Sequence, residues 1–220
     1  MIKAVIFDLD GTILDTLADL MGAVNGMLRY FGYPEHEDPG FHKLAIGTGM
    51  RNYVKKSLPP EVAVCEEKVD VCLTKMREIY AEHTSDLTRP YEGIEELLSK
   101  LSEAGIAINV LSNKPNVPTV SLVETWFSHH SFCHVYGERE GVPRKPDPIA
   151  ALQIAESLGL LPEEMAFVGD SGVDMQTGTN AGMVPIGVLW GFRSREELIS
   201  NGAVYVAESP EELCTIICQH

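Results

Sequence analysis

Apolar and polar positions along the chain fall into two rhythms. The first is a run with no polar interruption, Ala4–Phe7, which predicts a strand buried on both faces, as in a parallel sheet. It ends in Asp8-Leu9-Asp10-Gly11-Thr12. From there to about residue 85 the rhythm is helical. Leu17, Leu20, Met21, Val24, Met27, Leu28 and Phe31 recur at helical spacing, behind Asp15 or Thr16 as a cap and ahead of Gly32 as a stop. Residues 34–40 read as a loop. A short helix then precedes Gly47-Thr48-Gly49, a second covers about 50–58, and Pro59-Pro60 breaks the chain. A long helix is expected over 61–82, with Val69, Cys72, Leu73, Met76, Ile79 and Tyr80 on one face.

Beyond residue 85 short apolar runs alternate with helical stretches. Strands are expected at 106–111, 132–136, 165–168, 184–189 and 204–206. Helices are expected at 91–104, 117–127, Ile149–Leu158, 173–181, from Ser194, and from Ser209-Pro210 to the end. Strands alternating with helices of this length predict βα units around a parallel sheet. The fold expected is therefore α/β: a Rossmann-like parallel-sheet core of residues 1–15 and 86–220. An all-helical domain of residues 16–85 is inserted after the first strand, tied to the core by two connections, an arrangement that suits a hinged lid.

Composition narrows the function classes. The 220 residues are 45% hydrophobic and carry a formal net charge of -15. Such a charge disfavours nucleic acid and anionic lipid as partners. A protein of this charge that handles a phosphorylated anion must concentrate cations locally. No apolar run of 18 residues and no signal-peptide pattern is present, and the five cysteines form no C-x-x-C pair; reduced thiols in a cytoplasmic protein are expected. The cluster His129, His130, Cys133 and His134 lacks a second ligand pair at a recognisable spacing, so no metal site is assigned to it.

The candidate chemistry lies where strands end. Asp8 and Asp10 leave the first strand on the same side, because side chains on a strand alternate with period two. Gly11 lets the backbone turn. Ser112 and Asn113 follow one apolar run, Asp170 follows another, and Lys145 stands in the rigid loop Arg144-Lys145-Pro146-Asp147-Pro148. In a parallel sheet these ends share one edge. Three carboxylates, hydroxyl and amide groups and a lysine supply the parts for phosphoryl transfer: a nucleophile, an acid, metal ligands and cationic clamps. A carboxylate nucleophile would form an acyl phosphate that water then hydrolyses. Mg²⁺ is the expected cofactor, since every candidate ligand is a hard oxygen. Taken singly, each later motif also reads as an ordinary turn or helix start.

Asp8-Leu9-Asp10-Gly11-Thr12, followed by Asp15-Thr16, resembles motif I of the haloacid dehalogenase superfamily, mainly Mg²⁺-dependent phosphatases that form an aspartyl-phosphate. The later motifs follow in order at Ser112-Asn113, at Lys145-Pro146 and at Gly169-Asp170-Ser171-Gly172-Val173-Asp174. The resemblance implies Asp8 as nucleophile, Asp10 as general acid and then base, and Ser112, Asn113 and Lys145 as phosphate-binding. It implies Asp8, the backbone carbonyl of Asp10 and Asp170 as metal ligands, with Asp174 a further or outer ligand. An acid at Asp10 suits a phosphatase and disfavours dehalogenase or phosphonatase chemistry. The insert resembles the small helical cap of the family. Gly47-Thr48-Gly49-Met50-Arg51 is its candidate substrate-reading loop, with exposed backbone N–H groups and an arginine for a carboxylate or second phosphate; the alternative is an ordinary helix start with a solvated arginine. The segment Gly187-Val188-Leu189-Trp190-Gly191-Phe192-Arg193 is similar to the phosphoglycolate phosphatase branch. The expected partner is a small phosphorylated metabolite, best 2-phosphoglycolate. A pyrophosphatase, a phosphosugar mutase resembling β-phosphoglucomutase and a receiver-type phospho-aspartate signalling module are the alternatives. Monomer and dimer are equally open.

Overall fold

The four residues of β1 (Ala4–Phe7) are fully buried, and their side chains divide between two cores. Val5 and Phe7 join one face with Ile94, Leu97, Leu98, Leu122 and Phe127; Ala4 and Ile6 join the other with Ala151, Ile154 and Phe167. This is the period-two alternation of a strand covered by helices on both sides. The computed structural model describes residues 1–220. They divide into two compact units, Met1–Asp15 with Pro90–His220, and Thr16–Arg89.

In the first unit β1 is joined by β2 (Ala107–Pro115), β3 (His134–Glu138), β4 (Met165–Gly169), β5 (Val184–Val188) and β6 (Tyr205–Ala207). All pair in parallel, in the order β3-β2-β1-β4-β5-β6. Phe7 stands level with Val110 on one side and Val168 on the other, so the chain leaves β1 beside the later part of β2 and the end of β4. The chain order reverses at β1, which makes this edge the place where an open α/β sheet binds its ligand. The strand expected at 106–111 runs on to Pro115, and its register against β3 slips between Leu111 and Pro115. Ser112, Asn113 and Lys114 therefore lie in an irregular, bulged stretch within the strand rather than beyond its end.

The second unit holds α1 (Leu17–Tyr30), α2 (Pro39–Ala45), α3 (Met50–Ser57), α4 (Pro60–Ala63) and α5 (Glu66–Glu82). Leu20, Val24, Met27 and Leu28 of α1 and Val69, Cys72, Met76 and Tyr80 of α5 are buried. The helix expected over 61–82 is two helices, because Cys65 takes an extended backbone as the cap of α5. His42 is fully buried and held at both ring nitrogens, by the Tyr53 hydroxyl at 2.5 Å and the His36 carbonyl at 2.8 Å. The boundary with the first unit falls after Arg89. Residues 87 and 88 stay with the helices because the Asp19 carboxylate accepts from the Leu87 and Thr88 N–H groups and the Thr88 hydroxyl, at 2.7–3.1 Å.

In the first unit the helices that cover the sheet are α6 (Ile94–Glu103), α7 (Asn116–Phe127), α8 (Ile149–Leu158), α9 (Gly172–Ala181), α10 (Arg195–Ser200) and α11 (Pro210–Gln219). No helix is long and apolar enough to cross a membrane.

Candidate active site

The carboxyl ends of β1 and β4 bring Asp8 and Asp170 together, and the first turn of α9 adds Asp174. One carboxylate oxygen from each lies within 4.8 Å of the others, and all three residues are buried. Lys145 closes the group. Its Nζ stands 2.8 Å from Asp8 Oδ1 and 2.6 Å from Asp174 Oδ1, with the side chain almost wholly buried. The Asp8 carboxyl is pushed up to about 7: burial raises it most, the Lys145 charge opposes that rise, and the charges of Asp174 and Asp10 add to it. Asp170 is raised well above the usual carboxylate range by burial, then by Asp174 and Asp8. Burial alone would depress Lys145, but the charges of Asp174 and Asp8 outweigh it and hold the ammonium protonated.

Each acid is seated by local structure. Asp174 closes a capping box at the start of α9: the Ser171 N–H and hydroxyl donate to its Oδ2 at 3.1 and 2.6 Å, while Lys145 takes Oδ1. Asp170 Oδ2 accepts from the Phe192 N–H at 2.7 Å. It lies between two glycines. A Cβ on Gly11, which has φ 86°, would fall 2.5 Å from Asp170 Oδ2, and one on Gly191 would fall 2.4 Å from Asp170 Cβ and 2.3 Å from the Gly11 carbonyl. Only residues without side chains allow the backbone so near this carboxylate.

Asp10 is held from β2. Lys114 Nζ contacts both of its oxygens, at 3.0 and 3.2 Å, through a side chain only 2% exposed. The sequence reading passes over this lysine. The signal was present, since Lys114 stands two positions after Ser112 and so faces the same way, but only the bulge in β2 sets it opposite Asp10. The Asn113 side-chain amide is engaged by the lysine loop. Its Nδ2 donates to the Lys145 carbonyl at 3.1 Å and its Oδ1 accepts from the Lys145 N–H at 2.9 Å. That two-way bond fixes the lysine loop. Ser112 is buried, and its hydroxyl accepts from the Lys114 N–H at 3.3 Å.

In the helical unit Gly47 and Gly49 have φ 104° and 94°, conformations that favour glycine, and the Thr48 hydroxyl is buried without a hydrogen-bond partner. Arg51 pairs with Glu66 at 2.5 Å and Asp70 at 3.0 Å, both on α5. Its guanidinium is thus engaged by acids of its own unit.

The donor set fits a hard divalent cation. Asp8, Asp170 and Asp174 offer oxygen alone, they are buried, and Asp8 and Asp170 are held above their ordinary range first by burial and then by their acidic neighbours, both of which a cation would offset.

The family model described as haloacid dehalogenase-like hydrolase matches residues 5–188. Two curated relatives from Pseudomonas aeruginosa are each 30% identical. One is phosphoglycolate phosphatase 1, aligned over 96% of this chain and 78% of its own. The other is N-acetylmuramic acid 6-phosphate phosphatase, aligned over 98% and 95%. A crystal structure from Lactobacillus delbrueckii subsp. bulgaricus, provisionally assigned as a phosphoglycolate phosphatase, superposes with a TM-score of 0.91 at 34% identity over 98% of both chains. The chain belongs to the haloacid dehalogenase-like hydrolase family.

Proposed function

We propose that the protein is a Mg²⁺-dependent phosphatase that hydrolyses a small phosphomonoester through an aspartyl-phosphate on Asp8. The observation that carries this reading is the Lys145 ammonium bridging Asp8 and Asp174 beside Asp170, with Asp10 two residues along the same strand end. Asp8, Asp170 and the backbone carbonyl of Asp10 would hold Mg²⁺, with Asp174 a further or outer ligand; the ion would offset the carboxylate charge and polarise the phosphoryl group. Asp8 attacks phosphorus and the P–O bond to the leaving group breaks. The Asp10 carboxyl gives its proton to the departing alkoxide, then takes one from the water that cleaves the acyl phosphate. Lys145, Ser112 and Asn113 bind phosphoryl oxygens, and the Asn113 side chain also sets the lysine loop. The helical unit serves as a lid, with Gly47, Thr48 and Gly49 as its reading loop; the pairing of Arg51 with α5 moves it to a supporting role there.

For the substrate we favour 2-phosphoglycolate, supported by the relatives that carry that name. N-acetylmuramic acid 6-phosphate is the second reading, supported by an equally similar relative. Both are phosphomonoesters that also bear a carboxylate. A cytoplasmic location accords with either substrate.

The test is phosphate release with Mg²⁺, comparing kcat/KM for both compounds with pyrophosphate, a sugar phosphate and p-nitrophenyl phosphate, and with EDTA as control. A preference of about a hundredfold for one carboxylated substrate, lost in EDTA, is expected; that is about 2.7 kcal/mol of discrimination. Absence of hydrolysis with every phosphomonoester would overturn the phosphatase assignment. Turnover only with an added sugar bisphosphate would indicate a mutase.

A further inference from the structure

The histidine pair that finds no partner in the sequence finds one in the fold. Glu95 stands in the first turn of α6, and His129 and His130 follow the end of α7. Both helices pack on the same face of the sheet through Leu97, Leu98, Leu122 and Phe127, so a common core holds these ends together. Glu95 Oε2 is 2.7 Å from His129 Nε2 and 2.8 Å from His130 Nε2. The two rings lie 4.3 Å apart between centroids. Glu95 and His129 are open to solvent, whereas the His130 side chain is only 7% exposed and packs near Phe127. A backbone bond from the His130 N–H to the Phe127 carbonyl, at 2.9 Å, fixes the turn that presents both rings.

Two imidazole nitrogens and one carboxylate oxygen thus converge on one point from residues 34 and 35 positions apart. We propose that Glu95, His129 and His130 form a surface site for a divalent transition-metal ion of the zinc type, separate from the aspartate cluster. The donors argue for that class of ion. Imidazole suits zinc, nickel and copper, whereas Mg²⁺ prefers the all-oxygen set of Asp8, Asp170 and Asp174. Ligands about 2.1 Å from a tetrahedral ion stand roughly 3.4 Å from one another. The Glu95 oxygen reaches that spacing from both Nε2 atoms when the side chains open by a fraction of an ångström, and all three donor atoms already lie within 4.8 Å of one another. Each ring then carries its proton on Nδ1 and presents the Nε2 lone pair, and water completes the coordination. A bound ion would clamp the start of α6 to the end of α7. The net charge of -15 raises the local concentration of any cation.

The test is titration of Zn²⁺ into the full chain under saturating Mg²⁺ by calorimetry. The variants are His129→Gln, Glu95→Gln and, as control, Asp170→Asn; His129 and Glu95 are exposed, so their replacement spares the core. Co²⁺ absorption identifies the ligand type. The expected result is one Zn²⁺ per chain, bound at least about tenfold more weakly in His129→Gln and in Glu95→Gln and unchanged in Asp170→Asn; a tenfold loss is about 1.4 kcal/mol. Zn²⁺ should raise the Tm of the wild type and not that of the two variants. The Co²⁺ spectrum should show visible bands without thiolate charge transfer. No binding, equal affinity in wild type and variants, or binding abolished by alkylation of the thiols would each overturn the site.

Discussion

Lys114 holds the Asp10 carboxylate by both oxygens, so on the proposed mechanism it sets where the general acid points when a leaving group arrives. Lys114→Met keeps the volume and removes the tether. It should lower kcat by about ten- to a hundredfold, within the range general acid–base contributions span, while leaving KM for the phosphomonoester near its wild-type value. An unchanged kcat in the folded variant would show that Asp10 needs no such support. Asp8→Asn should lower kcat by at least about a thousandfold with an unchanged circular dichroism spectrum, because the proposed nucleophile is lost and the shape is not. Turnover within tenfold of wild type would exclude Asp8 as nucleophile. The acids, Lys145 and the order of their motifs were legible because each follows an apolar run or a proline-stiffened loop. Lys114 and the side-chain bonds of Asn113 were not, because a register slip in β2 has no signature in hydropathy.

Among the elements, the turn after β1 and the loop after β5 meet around one carboxylate. Gly191→Ala places a Cβ 2.3 Å from the Gly11 carbonyl, so one of these backbones must shift. The variant should lose more than about 2 kcal/mol in denaturant unfolding, the scale of a strained close approach, and lose Mg²⁺-dependent activity with it. In the helical unit, Asp19→Ala strips the Leu87 and Thr88 N–H groups of their acceptor. Hydrogen exchange at residues 87 and 88 should accelerate, with a loss of about 2–4 kcal/mol for a buried charged acceptor. Unaltered protection there would mean that water replaces the carboxylate. Strand and helix types were legible from periodicity alone. The split of the helix expected over 61–82 was not, since neither glycine nor proline marks the break at Val64 and Cys65, where Cys65 takes an extended backbone.

For the molecule as a whole, the clustered acids make stability depend on pH and on metal. Asp8 rises from 3.8 to about 7 in the folded protein without metal, so the native state binds the proton more tightly than the unfolded chain. That contribution is complete below 3.8 and is lost as pH rises through about 7. In EDTA the Tm should therefore fall between these values. Mg²⁺ should raise it more at pH 7 than at pH 5; a rise independent of pH would exclude the carboxylates as the ligands. The sheet order carries a further consequence, for synthesis. β1 leaves the ribosome first, yet its neighbours are β2 and β4, and the last of these ends at Gly169. At ordinary elongation rates the first strand, with both of its acids, waits on the order of ten seconds for that partner. The helical unit, one unbroken segment from Thr16 to Arg89, is complete long before. The newborn chain thus owns a finished helical unit while Asp8 still follows an unpaired strand, and the aspartate cluster assembles only once the second half of the sheet has been made.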